Sequence, residues 1–207
     1  MSTDHAVIVL AKGSHPAPPQ ACGNPERCYW EWYNWLTRQQ HTDGRPSTVS
    51  TVLWHFGMSL NDVLPDDRRQ ELVRFLPHGA DRVAGTADDG KDETRGYIAL
   101  DWLIRTYTPV WMDLAGLSEE ATALRDLRRI ADLVAAQSAG PVVIAARSKA
   151  AAAWDAAWDA AGDAARDAAR DKLAPTVAEL QTSAIALYDV LITGEWPQDD
   201  ATATTEG

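Results

Sequence analysis

The chain has little that would anchor it, cross-link it or draw it to polyanions. Its 207 residues include only two cysteines, Cys22 and Cys28. Without a secretion signal these read as reduced thiols rather than a disulfide framework, although the two can pair. The early apolar run Ala6 to Ala11 is too short for a signal-peptide core, and no stretch approaches membrane-spanning length. A cytoplasmic protein with no membrane partner is expected. Basic residues are also scarce, 19 Lys and Arg against 30 Asp and Glu, for a net charge of −11. That balance disfavours direct binding to nucleic acid or anionic membranes and favours basic partners. It also fits an acidic surface that imitates nucleic acid. No Walker loop, G-x-G-x-x-G, G-x-S-x-G or H-E-x-x-H sequence is present. No cofactor is expected.

What the chain has in excess is tryptophan, nine residues, and alanine in a regular word. Ala152 to Asp171 are five copies of Ala-Ala-X-Asp, with X running Trp154, Trp158, Gly162, Arg166 and Arg170. Alanine is the best helix former. A four-residue word overshoots a 3.6-residue turn by about 40°, so five words spread Asp155, Asp159, Asp163, Asp167 and Asp171 across about 160° of a helix. Ala157, Trp154, Ala161, Ala165, Trp158 and Ala168 fall opposite, and Asp163–Arg166 and Asp167–Arg170 make i, i+3 pairs worth roughly 0.2–0.5 kcal/mol each. The apolar face either docks on the last helix as core or forms a partner or self-assembly surface carrying Trp154, Trp158, Asp155, Asp159 and Asp163.

Periodicity predicts an all-α bundle of about six helices. Gly13 to Pro19 is loop, after a possible strand at Val7 to Leu10. Tyr29, Trp32, Tyr33 and Leu36 give a helical face. Ser47 is expected to cap a helix burying Val49, Val52, Leu53, Phe56 and Leu60. Pro65 opens a short helix, followed by Asp66 and Asp67. Asp92 or Glu93 begins a longer helix, with Tyr97, Leu100, Ile104, Tyr107, Trp111 and Leu114 in one stripe kinked by Pro109. Ser118 is expected to cap a helix carrying Leu124, Leu127, Ala131 and Val134, stopped by Gly140-Pro141. The repeat helix should run from about Val142 to Lys172, and Pro175 should open a final helix through Leu180, Ala184, Leu187 and Leu191, antiparallel to it. The organisation is a single helical domain over 1–197, with 1–27 irregular, 28–138 an aromatic-rich core, 142–193 a hairpin, and 198–207 a disordered tail.

Candidate chemistry is sparse. Cys28 and Glu31 share a helix face at i, i+3, with His15 and Cys22 upstream, so a thiolate nucleophile or a metal site can be drawn there. Cys-x5-Cys matches no standard zinc spacing, His15 and His41 lack ligand-pair spacing, and the plain alternative for Cys28 is a small buried hydrophobe. Asp88 to Glu93 resembles a calcium loop but fails in register, leaving helix capping. Asp101 and Arg105 make an i, i+4 pair beside the stripe, and Asn61-Asp62 reads as a helix terminus.

Gly13-Ser14-His15, Asn61-Asp62-Val63-Leu64-Pro65-Asp66-Asp67-Arg68, Asp101-Trp102-Leu103-Ile104-Arg105, Leu114-Ala115-Gly116-Leu117 and the Ala-Trp-Asp repeats leading into Leu173-Ala174-Pro175-Thr176-Val177 carry a resemblance over the full chain. It is similar to a group of uncharacterised actinobacterial and actinophage proteins. The resemblance brings no activity or functional residue with it, and its phage association implies a host-interaction, immunity or accessory role. The reading that follows is a non-enzymatic protein-interaction module, with a protein partner or as a homo-oligomer. The alternatives are a small thiol- or metal-dependent enzyme centred on Cys28, with His15 and Glu31, and an acidic nucleic-acid mimic.

Overall fold

Apolar spacing at three and four residues makes helices of most of the chain, and a computed structural model is all-α, with no strand among the described residues. It describes residues 8–16, 26–77, 82–160 and 163–198, the side chains of 154–172 excepted. The Val7–Leu10 strand reduces there to a single parallel bridge from Leu10 to Arg27.

Helix α1 (Tyr29–Leu36) follows the expected aromatic face, but it is buried nearly all round, with Tyr29, Trp30, Glu31, Trp32, Tyr33 and Asn34 inside. Helix α2 (Thr51–Val63) is capped by Ser50, not Ser47: the Ser50 hydroxyl accepts the Leu53 N–H at 3.2 Å. After Pro65 come α3 (Asp66–Arg69) and a 3-10 turn over Gln70–Phe75. Helix α4 (Asp92–Trp102) begins at Asp92 and passes into a π-helical turn, Leu103–Tyr107, then α5 (Thr108–Leu114). The kink expected from Pro109 takes this form because proline donates no N–H to the ladder, and a π turn absorbs the extra residue.

Three expectations in the C-terminal half are corrected. Helix α6 (Ser118–Arg125) has Leu117 at its cap position and ends before Leu127, so Leu124 is buried while Val134, on the following helix, is 70% exposed. The link is set by Asp101, whose carboxylate accepts the Ile130 N–H at 2.8 Å, and by Asp132, whose Oδ1 accepts the Ala135 N–H at 2.7 Å. Second, α7 (Leu133–Ala160) runs straight through Gly140-Pro141. Third, α8 (Asp163–Thr193) contains Pro175 instead of starting there. The described part of the repeat thus lies on α7 up to Ala160 and on α8 from Asp163. The side chains of Trp154, Trp158, Asp155, Asp159 and Asp163 fall outside the described residues, as does the docking of the Ala face on the last helix.

Two apolar clusters organise the fold. The larger packs α1, α2, the 3-10 turn and α4 around the C-terminal half of α8, with Tyr188 fully buried between Phe75 and Tyr29 at centroid distances of 5.1 and 6.0 Å. The smaller joins Met112, Ala121, Leu124 and Ala146 from α5, α6 and α7. Arg95, fully buried, ties the loop before α4 to the end of α8. Its guanidinium pairs with Asp89 and donates to the carbonyls of Leu191 at 2.8 Å and Thr86 at 3.2 Å.

Candidate functional site

Cys28, Glu31 and His15, singled out in the sequence, come together at the N-terminus of α1. Cys28 is the N-cap residue and Glu31 the third helical residue, the arrangement in which a carboxylate folds back onto the cap. Glu31 Oε2 accepts the Cys28 N–H at 2.8 Å. Its side chain has no exposed surface, and it is shared with the incoming N-terminal segment. The His15 N–H donates to Oε1 at 2.6 Å, and His15 Nδ1 lies 2.9 Å from Oε2. Burial by itself raises the Glu31 carboxyl, but the His15 and Cys28 N–H donors and the His15 ring outweigh it and hold the group below its ordinary value of 4.5.

His41 is a member that spacing alone did not bring in. Its Nε2 lies 3.1 Å from the His15 carbonyl and 3.8 Å from Glu31 Oε1. Asn61 is the other. Buried in the last turn of α2, it accepts the Tyr29 N–H at 3.1 Å and donates to the Ala11 carbonyl at 3.0 Å, so it caps α1 and holds the N-terminal segment together. Neither has a local signal, because each role depends on a helix and a loop many residues apart.

The chemistry open to this cluster is narrow. Burial pushes the Cys28 thiol up to about 12, so it stays protonated near neutrality and behaves as a small apolar group, not a thiolate nucleophile. No group of three or more His, Cys, Asp or Glu able to hold a metal ion is found among the described residues, which exclude Cys22. Glu31 fixes one ring nitrogen of His15, while Nε2 lies 4.0 Å from the exposed Glu26 carboxylate. Beyond it opens a polar cavity of about 570 Å3, with Lys12, Asp66, Arg69 and Gln70 in its walls. With two backbone N–H groups already spent on Glu31, the carboxylate works first as an anchor for the chain entering α1.

A second, chemically opposite site lies between α2, the π turn and α8. The aromatic rings of Phe56, Trp102, Tyr107 and Trp111 and the aliphatic side chains of Leu60 and Leu180 bound an apolar cleft of about 310 Å3. The π turn brings the rings to one side: Trp102 and Tyr107 stand 5.3 Å apart, and Tyr107 and Trp111 6.2 Å. Trp102 Nε1 donates to Ser183 Oγ at 2.8 Å, whereas the Trp111 indole N–H is buried without a hydrogen-bond acceptor among the described residues. Val63, at the rim, is 69% exposed.

No protein family, curated protein or solved structure matches the chain. No helix among the described residues is long and apolar enough to cross a membrane.

Proposed function

We propose that this chain is a non-enzymatic interaction module whose aromatic cleft takes the apolar face of a basic amphipathic helix from a protein partner. The observation that carries this reading is the cleft itself: about 310 Å3 bounded by four aromatic rings. Aromatic-lined grooves between helices are where helix-in-groove partners seat two or three anchoring side chains. Aromatic rings also supply most of the energy at such contacts.

The basic character of the partner follows from charge. The chain carries −11 overall, and beyond Pro65 the exposed Asp66 and Asp67 follow the cleft residues Val63 and Leu64 in sequence. Complementary charge raises the association rate and rejects acidic competitors. Trp154 and Trp158, whose side chains lie outside the described residues, carry no part of this reading.

The test is fluorescence anisotropy of labelled model helices titrated with the full chain. A lysine-rich amphipathic peptide should bind saturably and lose affinity at high salt, and a glutamate-rich peptide with the same apolar face should bind at least about tenfold more weakly. Val63→Asp and Trp111→Ala should each abolish the saturable phase with circular dichroism unchanged. Equal binding of both peptides, or binding indifferent to Val63→Asp, sinks the proposal.

A further inference from the structure

Residues 8–16 enter the fold as a ligand enters a receptor. Their side chains contribute modest packing: Leu10 is buried and Ile8 is half-buried against the larger cluster, but Val9 is 51% exposed, Lys12 and Pro16 are exposed, and the Ser14 hydroxyl reaches Glu31 Oε1 only at 3.5 Å. Their backbone, by contrast, is read group by group, and almost all of the readers are side chains from distant parts of the sequence. The Val9 carbonyl accepts Trp32 Nε1–H at 2.8 Å. The Gln70 amide takes both polar groups of Leu10, its Oε1 accepting the N–H at 2.8 Å and its Nε2 donating to the carbonyl at 2.9 Å. Ala11 donates to the Arg27 carbonyl at 2.8 Å and accepts from Asn61. Asp62 Oδ1 accepts the Gly13 N–H at 3.0 Å, and Glu31 and His41 hold the N–H and carbonyl of His15.

Backbone reading with a few side-chain pockets is how extended peptides are recognised: main-chain bonds give affinity and the pockets give selectivity. Three positions of the segment carry selectivity. Leu10 fills an apolar site. Gly13 has φ +82°, a conformation that other residues adopt only with strain. The His15 ring reaches the Glu31 carboxylate. Because the interactions lie on the receiving side chains, they are indifferent to which molecule supplies the segment.

We infer that the groove formed by Trp32, Glu31, His41, Asn61, Asp62 and Gln70 is a peptide-binding site. Residues 8–16 occupy it in cis, and it accepts the same segment from a second copy of this chain. The peptides it selects carry an apolar residue, a glycine three positions later and a histidine five positions later. The site is separate from the aromatic cleft and does not depend on it. Tethering supplies an effective concentration on the order of millimolar, so a competing segment gains the groove only when the resident one is weakened.

The experiment uses the full chain carrying Leu10→Asp, which weakens the resident segment and leaves every groove residue intact, and a fluorescein-labelled peptide of residues 8–16. The variant should bind the peptide at least about tenfold more tightly than the unsubstituted protein does, since the cis competitor then occupies the groove for a smaller fraction of the time. A peptide with His15→Ala should lose that gain. Sedimentation of the variant mixed with excess unsubstituted chain should show a species of twice the monomer mass. Equal, unsaturable binding by both proteins, or monomer alone in the mixture, overturns the inference.

Should Leu10→Asp unfold the protein, hydrogen exchange on the unsubstituted chain decides. The amides of Leu10, Ala11, Gly13 and His15 should exchange through a local opening insensitive to low denaturant, while that of Leu53 exchanges only on global unfolding. Exchange of both sets through global unfolding alone makes the segment part of the core and overturns the proposal.

Discussion

The Cβ that any residue but glycine would carry at position 57 falls 2.8 Å from Oη of Tyr188 and 3.2 Å from the Trp30 ring. Helix α2 therefore approaches α8 as closely as it does because Gly57 has no side chain, in spite of the cost of glycine inside a helix. Gly57→Ala should gain up to about 1 kcal/mol in helix propensity. It should lose about 1–3 kcal/mol by overpacking against Tyr188 and Trp30, both buried in a rigid aromatic cluster. The expected net is destabilisation, read as a lower midpoint in urea with an unchanged slope. A higher midpoint would mean that α2 and α8 separate freely.

Arg95 tests how much the polar centre of the larger cluster matters. It is fully buried, paired with Asp89 and bonded to carbonyls at both ends of the fold. Arg95→Ala leaves the Leu191 and Thr86 carbonyls without the guanidinium donor, while Asp89, partly exposed, keeps the Lys91 N–H, and losing the donor to buried acceptors costs about 1–3 kcal/mol. Lysine restores charge but not the planar fork. Arg95→Lys should recover only part of the loss in a denaturant titration, and full recovery would show that charge alone matters.

Glu31 gives the acid limb of stability its sign. Its carboxyl is held below the ordinary 4.5 by the donors of His15 and Cys28, so the ionised form is favoured by folding. This contribution is fully present above that ordinary value and is lost as the pH falls through the lower folded value. Glu31→Gln should reduce stability at pH 7 and flatten the slope of stability against pH below about 4.5. An unchanged acid slope in the variant would remove Glu31 from the linkage.

Cys28 should be inert while the protein is folded. A buried thiol pushed up to about 12 presents almost no thiolate at pH 8. In a Cys22→Ser background, Ellman's reagent should report no rapid thiol in the native protein and one in denaturant. A rapid native reaction would return Cys28 to the list of nucleophiles.

The all-α class and the starts of α1 and α4 are legible from spacing, because three-and-four recurrence of Tyr29, Trp32 and Tyr33 or of Tyr97, Leu100 and Ile104 is a local property. So is the Asp101–Arg105 pair, found at 3.3 Å. The limits of α7 and α8 are not. Pro141 and Pro175 are strong breakers in isolation, yet both lie inside helices. Asp132 is a cap signal hidden by the apparent continuity of Leu124, Leu127, Ala131 and Val134. At the polar site, Cys28 and Glu31 are joined by helical spacing, but His41, Asn61 and Gln70 are recruited by tertiary packing that no window of sequence contains. The aromatic cleft was missed for the same reason: Phe56, Trp111 and Leu180 each read as core in their own helix, and only the π turn opens a space between them.

The ties of Arg95 to Leu191 and the burial of Tyr188 have a consequence for synthesis. Translation delivers these groups after the helices they cover. The tryptophans of α1 and α2 leave the ribosome long before α8 exists to cover them, so the nascent chain carries an open aromatic surface through most of its elongation. Such a surface is prone to aggregate, and a chain truncated within α8 keeps it open. The C-terminal half of α8 closes an aromatic surface that the helices made before it leave open.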